Sequence, residues 1–117
     1  LTVIAAVQPS DFTEPSAREV AQLIDQVRLE KVPAIFGSNV FPSPVMSQIA
    51  HETQISFIDN LRDDDLPGSH GDIGHSYLGL MVENVRTIVM ALGGDAQGLQ
   101  YVDTSPIFEG KSQVIYP

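Results

Sequence analysis

The sequence predicts an α/β domain, a parallel sheet with helices on both of its faces. Short apolar runs at Thr2–Val7, Ala34–Phe36 and Ile55–Ile58 alternate with segments of helical periodicity that open at Ser16, Ser43 and Ser76. The apolar runs are continuous, the pattern of strands covered on both sides. The order β-α-β-α-β-α, joined by short connections, calls for right-handed crossovers between parallel strands.

Thr2–Val7, TVIAAV, is β-branched and apolar and stops at Gln8-Pro9-Ser10, so it reads as a buried strand. Pro9 and Pro15 keep the following loop extended. Ser16 and Glu19 have capping-box spacing, and Val20, Leu23, Ile24 and Val27 form one apolar stripe behind them. Arg28 and Lys31 lie near the end of that helix, where the dipole favours cations, and the helix must stop before Pro33. Ala34–Phe36 is the second strand. Ser43 caps a helix with Pro44 at its first position, Met46, Ile49 and Ala50 give it an apolar face, and it ends near Thr53.

The third strand, Ile55–Ile58, runs into the acidic loop Asp63-Asp64-Asp65 and a turn at Leu66-Pro67-Gly68. GSHGDIGH follows as a flexible glycine-rich stretch. Ser76 opens the longest helix, with Tyr77, Leu80, Met81, Val85, Ile88, Val89 and Leu92 at helical spacing and Gly93-Gly94 as its stop. Residues 95–117 read as an irregular tail around a domain of residues 1–94, with Gln113–Tyr116 as a candidate strand.

Composition removes several classes of function. The net charge is −9 with only six Lys and Arg, too few cations for nucleic acid or an anionic membrane surface. No cysteine is present, which excludes disulfides, thiolate catalysis and Cys-type zinc sites. No apolar run is long enough to span a membrane. The chain opens on LTVIAAV without an initiator Met, as though it began inside a domain.

The motifs exclude more. FGSNV lacks the G-x-S-x-G elbow of serine hydrolases, and no P-loop or G-x-G-x-x-G is present. A phosphoaspartate site would want a lysine at a later strand end, but none lies between Lys31 and Lys111. Three contiguous aspartates also fail the spacing of an EF-hand.

What stands is a cluster of carboxylates beyond a strand's carboxyl end, where open α/β sheets bind ligands. Asp63, Asp64 and Asp65 repel one another, and a divalent cation would relieve that repulsion. His70 and His75 flank the glycine-rich loop beside them and could add imidazole ligands. The alternative is an exposed acidic loop with two solvated histidines, on a small α/β domain that works by protein–protein contact without metal. His51, late in the second helix, reads as a surface residue.

The stretches EPSAREVAQLIDQVRLEKVPAIF, GSNVFPSPVMSQIAHET, FIDNLRDDDLPG and HSYLGLMVENVRTIVMAL follow one another as in the solute-binding proteins of zinc and manganese ABC importers. The chain resembles that family from Leu1 to Gly94, along the later part of its C-terminal lobe. The resemblance implies a two-lobed periplasmic protein that catalyses nothing and holds one divalent metal between its lobes. Four side chains hold that metal: two histidines of the N-terminal lobe, a His or Glu early in the C-terminal lobe, and an Asp in a pattern like L-x-S-D-S-L. Here that pattern reads Leu61-Arg62-Asp63-Asp64-Asp65-Leu66, so the resemblance places the ligand at Asp64, with Asp63 and Asp65 as neighbours one register away.

Further expectations follow from the same resemblance. The metal is Zn²⁺ or Mn²⁺, and this stretch alone, with one ligand of four, binds it weakly or not at all. The partners are the membrane permease of the importer and the missing N-terminal lobe or a second copy of the chain, with no nucleic acid. The location is periplasmic or extracellular, where a lipid anchor ahead of Leu1 would serve. In a 2-1-3-4 strand order the strand missing before Leu1 is the central one, which leaves Thr2–Val7 and Ala34–Phe36 with open edges. Direct pairing of those two strands in a compact monomer would count against that expectation.

Overall fold

The computed structural model describes residues 1–7, 13–39 and 43–105. The Gln113–Tyr116 strand lies outside the described residues. The chain divides into two compact units, Leu1–Leu61 and Arg62–Pro117.

The first unit contains α1 (Ala17–Leu29), β1 (Ala34–Ser38), α2 (Pro44–Thr53) and β2 (Ser56–Leu61). Helix α1 begins as its sequence dictates. Ser16 Oγ accepts from the Glu19 N–H at 3.3 Å, while the Ser16 N–H donates to Glu19 Oε2 at 2.7 Å. The capping box therefore satisfies donors that a helix start otherwise leaves to water. Val20 and Val27 are buried and pack with Ile49 of α2, the most buried large side chain of the described residues at 2 % exposure. Val7, Leu23, Ile24, Val32, Ile35, Val45 and Ile55 close around these three. Ser43 caps α2 by accepting from the Met46 N–H at 3.3 Å, and Pro44 occupies the first turn. Arg28 ties the two helices together by donating to the Glu52 carbonyl at 2.7 Å.

Strands β1 and β2 are parallel, pairing Ala34 with Ser56, Ile35 with Phe57 and Phe36 with Ile58. Beyond Phe36 the register slips, so that Ser38 pairs with Leu61. One extra residue of β2 is accommodated there as a bulge. The ladder then closes with the Asn39 N–H donating to the Leu61 carbonyl at 2.9 Å. β2 thus runs three residues past the Ile58 expected from the apolar pattern. Asp59 and Asn60 are polar and exposed, but a ladder is made by backbone groups, so polar side chains need not end it.

The expected first strand is not formed. Thr2–Val7 has no regular structure, Leu1 is 98 % exposed and Val3 80 % exposed, and the described sheet has two strands. Only Val7 reaches the core, and Gln26 Nε2 donates to the Ile4 carbonyl at 3.3 Å. An apolar run reports a preference for burial. A strand also needs a neighbour's N–H and C=O groups, and none of the described residues offers them to this segment.

In the second unit, α3 (Tyr77–Ala91) is followed by a 3₁₀ turn at Gln97–Tyr101. Ser76 caps α3, its hydroxyl accepting from the Gly79 N–H at 3.0 Å and donating to the Thr104 carbonyl. Gly93, at φ +79°, ends it in a Schellman arrangement: Gly94 N–H donates to Val89 O at 2.8 Å and Gly93 N–H to Met90 O at 3.0 Å. The apolar face is narrower than the spacing predicts. Leu80 is buried and Ile88, Val89 and Leu92 are half-buried, whereas the row Tyr77, Met81, Val85 is exposed.

Candidate metal-binding loop

The acidic loop leaves the carboxyl end of β2, and its first residue is tied to α3 at both main-chain groups. The Arg62 N–H donates to Asn84 Oδ1 at 2.9 Å, and Asn84 Nδ2 donates to the Arg62 carbonyl at 2.8 Å. One asparagine amide thereby supplies the pair of bonds that a neighbouring strand would give. The Arg62 guanidinium then divides between two carboxylates. Its Nε donates to Glu83 Oε2 at 3.0 Å, and its Nη1 forms an ion pair with Asp65 Oδ2. Two carboxylates, Asp65 and Glu83, thus share one guanidinium, and Asp63 and Asp64 lie between Arg62 and Asp65 in the chain.

Asp63, Asp64 and Asp65 are all exposed. Asp65 is engaged by Arg62; among the described residues the Asp64 carboxylate has no hydrogen-bond or ion-pair partner. Past the turn at Leu66–Gly68, the loop folds on itself. Asp72 Oδ2 accepts from the Ser69 N–H at 2.9 Å, the Asp72 N–H donates to the Ser69 carbonyl at 3.0 Å, and the His75 N–H donates to the Asp72 carbonyl at 3.0 Å. This glycine-rich stretch is therefore held by a chain of short-range bonds.

His75 is half-buried, with Nδ1 3.1 Å from the Pro67 carbonyl. A carbonyl can only accept, so Nδ1 carries a proton, and in the neutral ring it is Nε2 that holds the free lone pair. That is the usual state of a metal-binding imidazole, whose second nitrogen donates to a backbone carbonyl. His70 is exposed, its ring centroid 6.1 Å from that of His75 and its plane tilted by 60°. The two histidines are thus neighbours, as the sequence suggests. Among the described residues, however, no three His, Asp or Glu side chains gather as a metal site, so Asp64, His70 and His75 do not form one by themselves. His51 is exposed, as expected.

Sequence reasoning missed Arg62, Glu83 and Asn84. The signal was present in α3, where Glu83-Asn84 interrupts an apolar helix and asparagine is a poor choice for a helix interior. A half-buried asparagine there needs partners for its amide, and it finds them 22 residues upstream.

No helix among the described residues is long and apolar enough to cross a membrane. No solved structure matches the chain. The family model described as zinc-uptake complex component A, periplasmic (ZnuA), matches residues 1–91, which include α1, β1, α2, β2, the acidic loop and all of α3. The chain therefore belongs to the ZnuA family, the periplasmic solute-binding components of metal ABC importers.

Proposed function

We propose that this chain takes part in capturing zinc or manganese and presenting it to the membrane permease of an ABC importer, and that Asp64 is the ligand it contributes. The observation that carries this reading is the state of the carboxylates in the acidic loop. Asp64 stands exposed three residues past the end of β2, inside the family match, while the adjacent Asp65 is drawn onto Arg62. An aspartate oxygen with imidazole partners suits a four-coordinate Zn²⁺ and is also acceptable to Mn²⁺. His75, with Nε2 available, is the accessory ligand that the loop supports best, ahead of the exposed His70. The remaining ligands come from a facing lobe, carried on the same polypeptide or on another. Capture and release require no bond making beyond coordination, so the reading assigns no catalytic residue.

The test is isothermal titration of the intact protein with Zn²⁺ and with Mn²⁺, comparing wild type with Asp64→Ala. The reading expects tight binding that is largely lost in the variant. Unchanged affinity would sink it and leave an α/β domain that works through protein contacts alone.

A further inference from the structure

Three adjacent aspartates are chemically alike, and nothing in their side chains decides which of them meets a metal. The decision has to come from how the loop is held. Arg62 is fixed at its N–H and its C=O by Asn84, at 2.9 and 2.8 Å. That places a tether two residues before Asp64, on a helix whose own ends are capped at Ser76 and closed at Gly93. The same residue's guanidinium bridges Asp65 to Glu83, one position before Asn84 on α3. Main chain and side chain of Arg62 therefore hold the loop to one turn of α3 on both sides of Asp64 in sequence. The Arg62 side chain is a quarter exposed and its partners Asp65 and Glu83 are about half exposed, so the bridge is only partly shielded from water and the two main-chain bonds to Asn84 are the firmer tether.

We infer that Arg62 and Asn84 are positioning residues for metal capture, which hold the loop to α3 so that Asp64, and not Asp65, is the carboxylate offered to the metal. This rests on the reading of Asp64 as a ligand. Arg62 has two effects. It keeps Asp65 on a fixed cation, and it lowers the repulsion that three unscreened carboxylates would exert on one another. Asn84 supplies what charge cannot, a defined position for the peptide from which Asp64 is suspended. The arrangement resembles the outer partners that orient metal ligands elsewhere, except that the oriented group is a whole loop.

The test is Zn²⁺ affinity of the intact protein, measured by competition with a chromophoric chelator. The proteins are wild type, Asp64→Ala, Asn84→Ala, Arg62→Met, Leu80→Val and the double variants that combine Asp64→Ala with each of the others. Thermal midpoints are recorded in parallel. Asn84→Ala and Arg62→Met should each weaken Zn²⁺ by roughly ten- to a hundredfold, the range for outer partners of a ligand. Asp64→Ala should cost clearly less on either background than alone, because a misplaced carboxylate has less to lose; coupled sites are non-additive in this way. Leu80→Val trims a buried side chain of α3 that touches neither Arg62 nor the carboxylates in the described bonds. It should lower the thermal midpoint while leaving the cost of Asp64→Ala unchanged. Additive losses on the Asn84→Ala and Arg62→Met backgrounds would reduce both residues to general stability and overturn the inference. Wild-type affinity in both single variants, with Asp64→Ala still damaging, would also overturn it while leaving the Asp64 reading intact. An Asp64→Ala protein that binds as wild type would overturn both.

Discussion

Replacing Gly79 by alanine should destabilise the protein, although the same change in an ordinary helix does the opposite. Gly79 is buried in the first turn of α3. Helix propensity alone favours alanine there by about 1 kcal/mol. However, a Cβ on Gly79 would lie 1.9 Å from the Gly74 carbonyl oxygen, and contacts under 3.0 Å essentially do not occur. The two backbones must therefore part by about 1 Å, and neither is a flexible side chain that could swing aside. Gly74 O also accepts from the Ser76 N–H at 2.9 Å, so moving it weakens that bond at the helix cap. Such a lost bond costs about 1 kcal/mol, and forced overpacking typically costs about 1–3 kcal/mol. Against the propensity gain, the net loss is about 1–3 kcal/mol, read as a lower urea midpoint at unchanged m-value. His75 sits between the two displaced residues, so its bond to the Pro67 carbonyl should loosen too, with a change in its imidazole NMR signals. A Gly79→Ala protein at least as stable as wild type would refute the close approach of the glycine-rich loop to α3.

Three further outcomes are expected. Ile49→Ala removes the centre of the Val20–Val27–Ile49 core and should cost about 2–5 kcal/mol in urea unfolding; a loss below about 1 kcal/mol would mean that these three do not form the core. The Glu19 carboxyl is held below the usual glutamate range, first by the Ser16 N–H and then by the Ser16 hydroxyl. The unfolded chain therefore takes up this proton at higher pH than the folded one, so the stabilisation is complete above the ordinary glutamate pKa and fades as pH falls through the folded value. Wild type should lose stability in acid more steeply than Glu19→Gln, and parallel pH profiles would contradict the capping box. Ser43→Ala removes the oxygen that caps α2 and should lower stability by about 1 kcal/mol, measured in the same way; an unchanged midpoint would count against the cap.

The helix starts were legible because their causes are local. Ser16 with Glu19, Ser43 with Pro44, and Ser76 before an apolar run each satisfy backbone donors within three or four residues, and all three occupy cap positions. Gly93-Gly94 was readable as a stop for the same reason. What failed was non-local. The strand expected at Thr2–Val7 depended on a partner that no apolar run can specify, and the end of β2 depended on Asn39 reaching across to Leu61. Periodicity drew one wide face on α3, but it cannot tell which part of an apolar stripe is covered, and Tyr77, Met81 and Val85 are exposed. The loop was legible as a cluster of carboxylates and histidines. The difference between Asp64 and Asp65 was not, because Asp65 is engaged by an arginine three residues before it, and that arginine is itself tied to an asparagine 22 residues further along the chain.

An anomalous-scattering map of the zinc-loaded intact protein, recorded on both sides of the zinc absorption edge, bears most directly on the role assigned to the acidic loop. The account predicts a zinc peak about 2.0–2.2 Å from an Asp64 carboxylate oxygen, with Asp65 still on Arg62. A zinc peak coordinated elsewhere, with the Asp64 carboxylate outside its shell, would contradict it.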